Sequence, residues 1–171
     1  DKSSLAIPEY FIYDNNKKLK LNELDMDDNF NQMNKLLKIH FEIHEQKPIE
    51  TINMMTPLIS KSLYYYVQDE ITQISKRNIR LLNNCLALLC RCYVKLNMHQ
   101  HVKEIATILT QISKESPKGF IFLANSFAKD KNYIKALQYY QLAQERVNTF
   151  HEIGEEDKET KLQQMIMNNM I

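Results

Sequence analysis

Seven apolar positions in this sequence recur at a separation of 34 residues, and that period limits the possible folds more than any other feature. In "PKGFIFLANSFAKDKNYIKALQYYQLA" (117–143) the framework is Phe120, Leu123, Ala124 and Phe127, followed by Ala136, Tyr140 and Ala143. One period earlier stand Leu86, Leu89, Cys90 and Tyr93, followed by Val102, Ala106 and Leu109. Size class is kept: large, large, small, aromatic, then smaller apolar residues with one exchange. Self-similarity at a fixed period marks an array of one repeated unit. Phe120, Leu123 and Phe127 lie on one face of a helix, and Asp130-Lys131-Asn132 makes a turn with Asn132 as N-cap of the next helix. Each unit is therefore expected to be two antiparallel helices whose apolar faces are buried only by stacking on neighbouring units. Ala124 and Ala136 are expected where the two helices cross, since small side chains let the backbones approach.

The expected fold is all-α. Two glycines and four prolines are too few for a turn-rich β protein, and a 44% apolar content argues against disorder. A compact chain of this length buries roughly 70% of the surface its unfolded form exposes, enough for a real core. An earlier, looser unit covers 33–60. There Leu36, Ile39 and Ile43 precede Ile52, Thr56 and Ile59, matching the next unit at an offset of 50, with His40 at the small position. The extra residues, together with Ile71, Ile74, Leu81, Leu82, Leu86 and Leu89, predict one long helix from about 67 to 96. Residues 1–29 read as a partly extended arm whose apolar island, "LAIPEYFIYD", docks on the array. The helical domain follows over 30–171, with units at about 33–60, 83–116 and 117–148. Residues 155–171 read as a truncated helix whose apolar face contacts further sequence or another chain.

The balance of charge excludes several functions. With 22 basic and 21 acidic residues, the chain lacks the basic field of a nucleic-acid binder. No apolar run is long enough to span a membrane, and the N-terminus has no secretory signal. It does not open on Met, which reads as a piece of a longer chain. Cys85, Cys90 and Cys92 are odd in number and read as buried reduced thiols of a cytoplasmic protein.

Three constellations were weighed for chemistry. His40, His44, Cys90, Cys92, His99 and His101 are ligand types, and His40 and His44 share a helix face at i, i+4, but no CxxC pair joins them and no metal is expected. A catalytic cysteine needs a lowered pKa and a base, whereas "CLALLCRCY" reads as helix core. With no Gly-rich phosphate loop or nucleophile elbow either, neither enzymatic activity nor a cofactor is expected. Tyr64, Tyr65 and Tyr66 cannot share one helix face, so at least one is expected at the surface; Tyr65 is the candidate partner contact.

The period and the framework over 117–148 and 83–116 resemble the tetratricopeptide repeat, which implies a right-handed superhelix with a concave groove. In chaperone-adaptor members that groove carries a carboxylate clamp of two lysines, two asparagines and an arginine. The same places here hold Leu37, Phe41, Leu88, Lys118 and Phe122, so Lys118 alone keeps the type. The resemblance thus implies an apolar groove for a peptide, a partner helix or another subunit, with these five residues lining it. Within the family, "KLL" (35–37), "PIET" (48–51) and "YIKALQYYQLAQERV" (133–147) resemble the tetratricopeptide subunits of the TRAPP vesicle-tethering complex. That implies a non-catalytic scaffold, cytoplasmic and peripheral at Golgi or endosomal membranes. A chaperone or immunophilin adaptor with a remodelled groove is the second reading, and a small Cys/His enzyme the third.

Overall fold

The computed structural model describes residues 5–11, 23–68 and 74–151. Among these, six helices follow one another: α1 (Glu23–Ile43), α2 (Pro48–Gln68), α3 (Lys76–Lys95), α4 (His99–Ile112), α5 (Lys118–Lys129) and α6 (Tyr133–His151). A short 3-10 turn (Glu9–Phe11) precedes them, and the described residues contain no strand. The chain divides into two compact units, Asp1–Met98 and His99–Ile171.

In the first unit α1, α2 and α3 pack on one another, and the 3-10 turn rests on α2. Phe11 is buried there, with the Tyr10 ring 6.2 Å from that of Tyr93. The apolar island thus docks, though through a helical turn at 9–11. Helix α1 starts at Glu23, inside the stretch expected to be an arm. Its inward face is Met26, Phe30, Met33, His40 and His44, and Ile39 is 56% exposed. Of the expected face Leu36, Ile39 and Ile43, Ile39 is therefore turned to the surface while Leu36 and Ile43 are half-buried. The reason is that polar groups are buried in pairs. Asn29 donates to the Leu58 carbonyl (2.9 Å) and Ser62 Oγ (3.0 Å), His40 Nδ1 meets Thr51 Oγ1 (2.8 Å), and His44 donates from Nδ1 to the Phe41 carbonyl (2.7 Å). Paired in this way, His40, Thr51 and the Asn29 NH₂ sit inside with their desolvation offset, while the Asn29 Oδ1 is buried without a partner among the described residues.

The long helix expected over 67–96 is two helices. α2 ends at Gln68, and α3 begins at Lys76, where Ser75 caps it by accepting from the Asn78 N–H at 3.1 Å. A serine oxygen there satisfies a donor that a continuing helix would have bonded internally. The expected helix at 155–171 lies outside the described residues.

The second unit runs α4, α5, α6, with α5 packed on both its neighbours. Ala124, Ala136, Tyr140, Ala143, Ile121 and Val147 form one buried cluster, so the two alanines occupy the crossing expected of them. Gly119 brings the start of α5 against α4: a Cβ there would lie 2.8 Å from Thr110 Cγ2 and 2.9 Å from the Ala106 carbonyl oxygen.

The period recurs in the backbone as well as in the side chains. Met98 N–H donates to the Tyr93 carbonyl (2.9 Å) and Asn97 N–H to that of Val94 (3.0 Å). Thirty-four residues later Asn132 N–H donates to Phe127 (2.9 Å) and Lys131 N–H to Ala128 (3.0 Å). Asn97 and Lys131 take the left-handed conformation, with φ of 57° and 62°. Both helices thus close with the same paired-bond C-terminal motif. Asn132 then caps α6, its Oδ1 accepting from the Lys135 N–H at 3.3 Å.

Candidate functional site

Between α1 and α3 the first unit holds a groove of about 490 Å³. From α1 come Asp27, Phe30, Asn31, Asn34 and Leu37, at the three- and four-residue steps that share a helix face. From α3 come Arg77, Asn78, Arg80, Leu81 and Asn84 by the same periodicity, and Ser75 closes the end at the α3 N-cap. Phe30 is buried, and Leu37 and Leu81 are half-buried, so the apolar residues make a floor under a polar rim. The α1 wall is tied to α2. Asn29, one residue from the groove lining, bonds α1 to α2, and the His40–Thr51 contact fixes the other end of that pair.

Four asparagines in one groove are unexpected, because asparagine is a poor helix former in a helix interior. Their side-chain amides offer two donors and an acceptor each. Among the described residues neither Arg77 nor Arg80 has an ion-pair or hydrogen-bond partner. The groove therefore presents two guanidinium groups and a row of amides, with one carboxylate, Asp27, on the opposite wall.

The six residues expected from the sequence fall on α1, α2, α3 and α5. Leu37 lines this groove. Phe41 lies further along α1, 55% exposed, with the Arg91 guanidinium 5.4 Å from its ring centroid. Leu88 is 1% exposed and belongs to the core; it continues the Arg77, Leu81 and Asn84 stripe of α3 one four-residue step beyond the groove, where that stripe is buried. Tyr65 is half-buried on α2. Lys118, exposed, and Phe122, half-buried, are on α5 in the second unit. Between α1 and α3 the described lining is mostly polar. The missed residues carried a readable signal, namely asparagines at helical spacing on α1 (Asn31, Asn34) and α3 (Asn78, Asn84).

The cysteines and histidines do not gather into a constellation among the described residues. Cys85, Cys90 and Cys92 are free and buried. Burial pushes the thiols of Cys85 and Cys92 up to about 12 and about 11, and Cys90 is also pushed up, by burial first and then by Cys92. A thiol so raised is protonated at neutral pH and is no nucleophile. Among the described residues no three His, Cys, Asp or Glu side chains gather as a metal site would require. Nor is any helix among them long and apolar enough to cross a membrane.

No protein-family model, curated protein or solved structure matches the chain.

Proposed function

We propose that this chain is a non-catalytic interaction module, a helical-repeat subunit of a multi-protein assembly, which takes a segment of a partner protein into the groove between α1 and α3. The observation that carries this reading is the groove itself: a concave surface with a row of amides and two arginines that no described residue pairs, above an apolar floor. A rigid scaffold displaying convergent polar groups is the usual form of a recognition site. The recurrence of the C-terminal motifs at Asn97 and Lys131 supports the repeat reading, and with it the resemblance to tetratricopeptide proteins. The likeness to the TRAPP subunits favours vesicle tethering, with the chain cytoplasmic and peripheral at Golgi or endosomal membranes. The adaptor reading gains from the Arg–Asn lining and loses from the clamp positions, which hold Leu37, Phe41, Leu88 and Phe122.

Lysine-directed cross-linking of the chain with its co-purifying proteins, followed by mass spectrometry, tests the proposal. Lys38 and Lys76, each next in sequence to a lining residue, are expected to link to a partner. Links confined to Lys129 and Lys135 on the second unit would contradict it.

A further inference from the structure

We infer that the partner segment is extended and acidic, lying along the α1/α3 groove with its main chain on the asparagines and its side-chain carboxylates on Arg77 and Arg80. The inference rests on the groove being the partner site, and it adds the chemistry of what enters.

The conformation follows from the amides. Asn31 and Asn34 on one wall face the same groove as Asn78 and Asn84 on the other. An asparagine amide matches a peptide unit, with its oxygen accepting from a main-chain N–H and its NH₂ donating to a main-chain carbonyl. An extended segment presents such groups all along its length, whereas a helix has used its own internally. A partner helix would also need an apolar channel, and here Phe30, Leu37 and Leu81 supply only a floor.

The charge follows from the arginines. Arg77 and Arg80 are three residues apart on α3 and so project from neighbouring places on one face. Both are exposed and unengaged by any described residue. A planar guanidinium accommodates a carboxylate through two parallel hydrogen bonds. Asp27 is the one acidic residue among the described lining residues, which carry a formal charge of +1 from two arginines and one aspartate. That is enough to select an acidic segment and far from the basic density needed to track a nucleic-acid backbone. Alternate side chains of an extended strand point the same way about 7 Å apart, a spacing that arginines one helical turn apart can follow.

The test uses the whole chain and a fluorescein-labelled, C-terminally amidated decapeptide carrying Glu at alternate positions, read by fluorescence anisotropy. A peptide with Gln at those positions is the neutral control. The Glu peptide is expected to bind about tenfold or more tightly than the Gln peptide, and to weaken as salt rises. The double variant Arg77→Glu/Arg80→Glu should abolish the preference while circular dichroism stays unchanged, since both side chains are exposed. Arg77→Lys/Arg80→Lys should keep part of it. Asn34→Leu/Asn84→Leu should weaken both peptides by a similar factor. Equal binding of Glu and Gln peptides overturns the acidic preference but leaves the groove reading standing. Binding of neither peptide also overturns the inference; if the cross-links then miss Lys38 and Lys76 as well, the groove reading falls with it. Recognition that appears only with a free C-terminal carboxylate overturns it too, as does full displacement of the Glu peptide by inorganic phosphate at matched anion concentration.

Discussion

Lys131 holds a left-handed backbone conformation at φ 62°, which costs a residue with a Cβ about 1–2 kcal/mol and glycine almost nothing. The Lys131→Gly variant should therefore be more stable, by about 0.5–1 kcal/mol after the entropy that glycine adds to the unfolded chain, as read in urea unfolding. Asn97, at the equivalent turn, tolerates this region better and should gain less from the same change. Gly119 is the opposite case. The Gly119→Ala variant places a methyl within 3 Å of Thr110 and the α4 backbone, so a loss of about 1–3 kcal/mol is expected in the same measurement. The small residues of the period were readable from sequence because Ala124 and Ala136 can be small for only a few reasons. The groove asparagines were harder to interpret. An isolated Asn in a helix is consistent with surface, cap or core, and Asn29 shows the last of these.

At the scale of the element, α3 carries all three thiols on a helix whose inner face is fully buried. In the unfolded chain they ionise near the ordinary value of 9.0, whereas burial pushes Cys85 and Cys92 up to about 12 and about 11 in the folded protein. Unfolding therefore releases protons in that interval. The stability contributed by the neutral thiols is complete below pH 9 and declines above it, by up to about 1.4 kcal/mol per pH unit for each thiol. Urea midpoints measured from pH 7 to pH 10.5 should fall above pH 9, and replacing Cys85 and Cys92 with alanine should flatten that decline. On α6, Arg146 reaches back to the end of α4, where Nη1 donates to the carbonyls of Ser113 (2.5 Å) and Ser116 (2.9 Å) and Nη2 to that of Thr110 (3.0 Å). Its guanidinium also lies 4.3 Å from the Phe120 ring centroid. Arg146→Met leaves those carbonyls without that donor and should cost about 2–3 kcal/mol; Arg146→Lys should restore less than half, because an ammonium's donors radiate from one nitrogen and do not reproduce the planar fork of Nη1 and Nη2. None of this was visible in the sequence, where Arg146 was only the basic residue near the end of "QLAQERV". The break between α2 and α3 was missed for a related reason: apolar periodicity runs on through Ile71 and Ile74 and does not register the capping oxygen of Ser75, at which α3 begins.

For the whole molecule, the 34-residue period recovered the helices of α3 to α6 because there, Ser126 apart, the buried side chains are apolar and the α3–α4 and α5–α6 turns have the same length. It failed on α1 and α2, where Asn29, His40, Thr51 and Ser62 are buried in hydrogen-bonded pairs that a hydrophobic pattern cannot register. The same burial of polar groups on α1 displaced the expected site, putting Ile39 at the surface and bringing Asn31 and Asn34 toward the groove. The claim on which the functional account depends is that this groove receives a partner. Following the side-chain NH₂ resonances of Asn31, Asn34, Asn78 and Asn84 by NMR during titration with a cross-linked partner's own sequence tests it most directly. The account predicts saturable shifts of these four amides. Shifts confined instead to the exposed Tyr133, Ile134 and Leu137 on α6, with the asparagine signals unmoved, would contradict it.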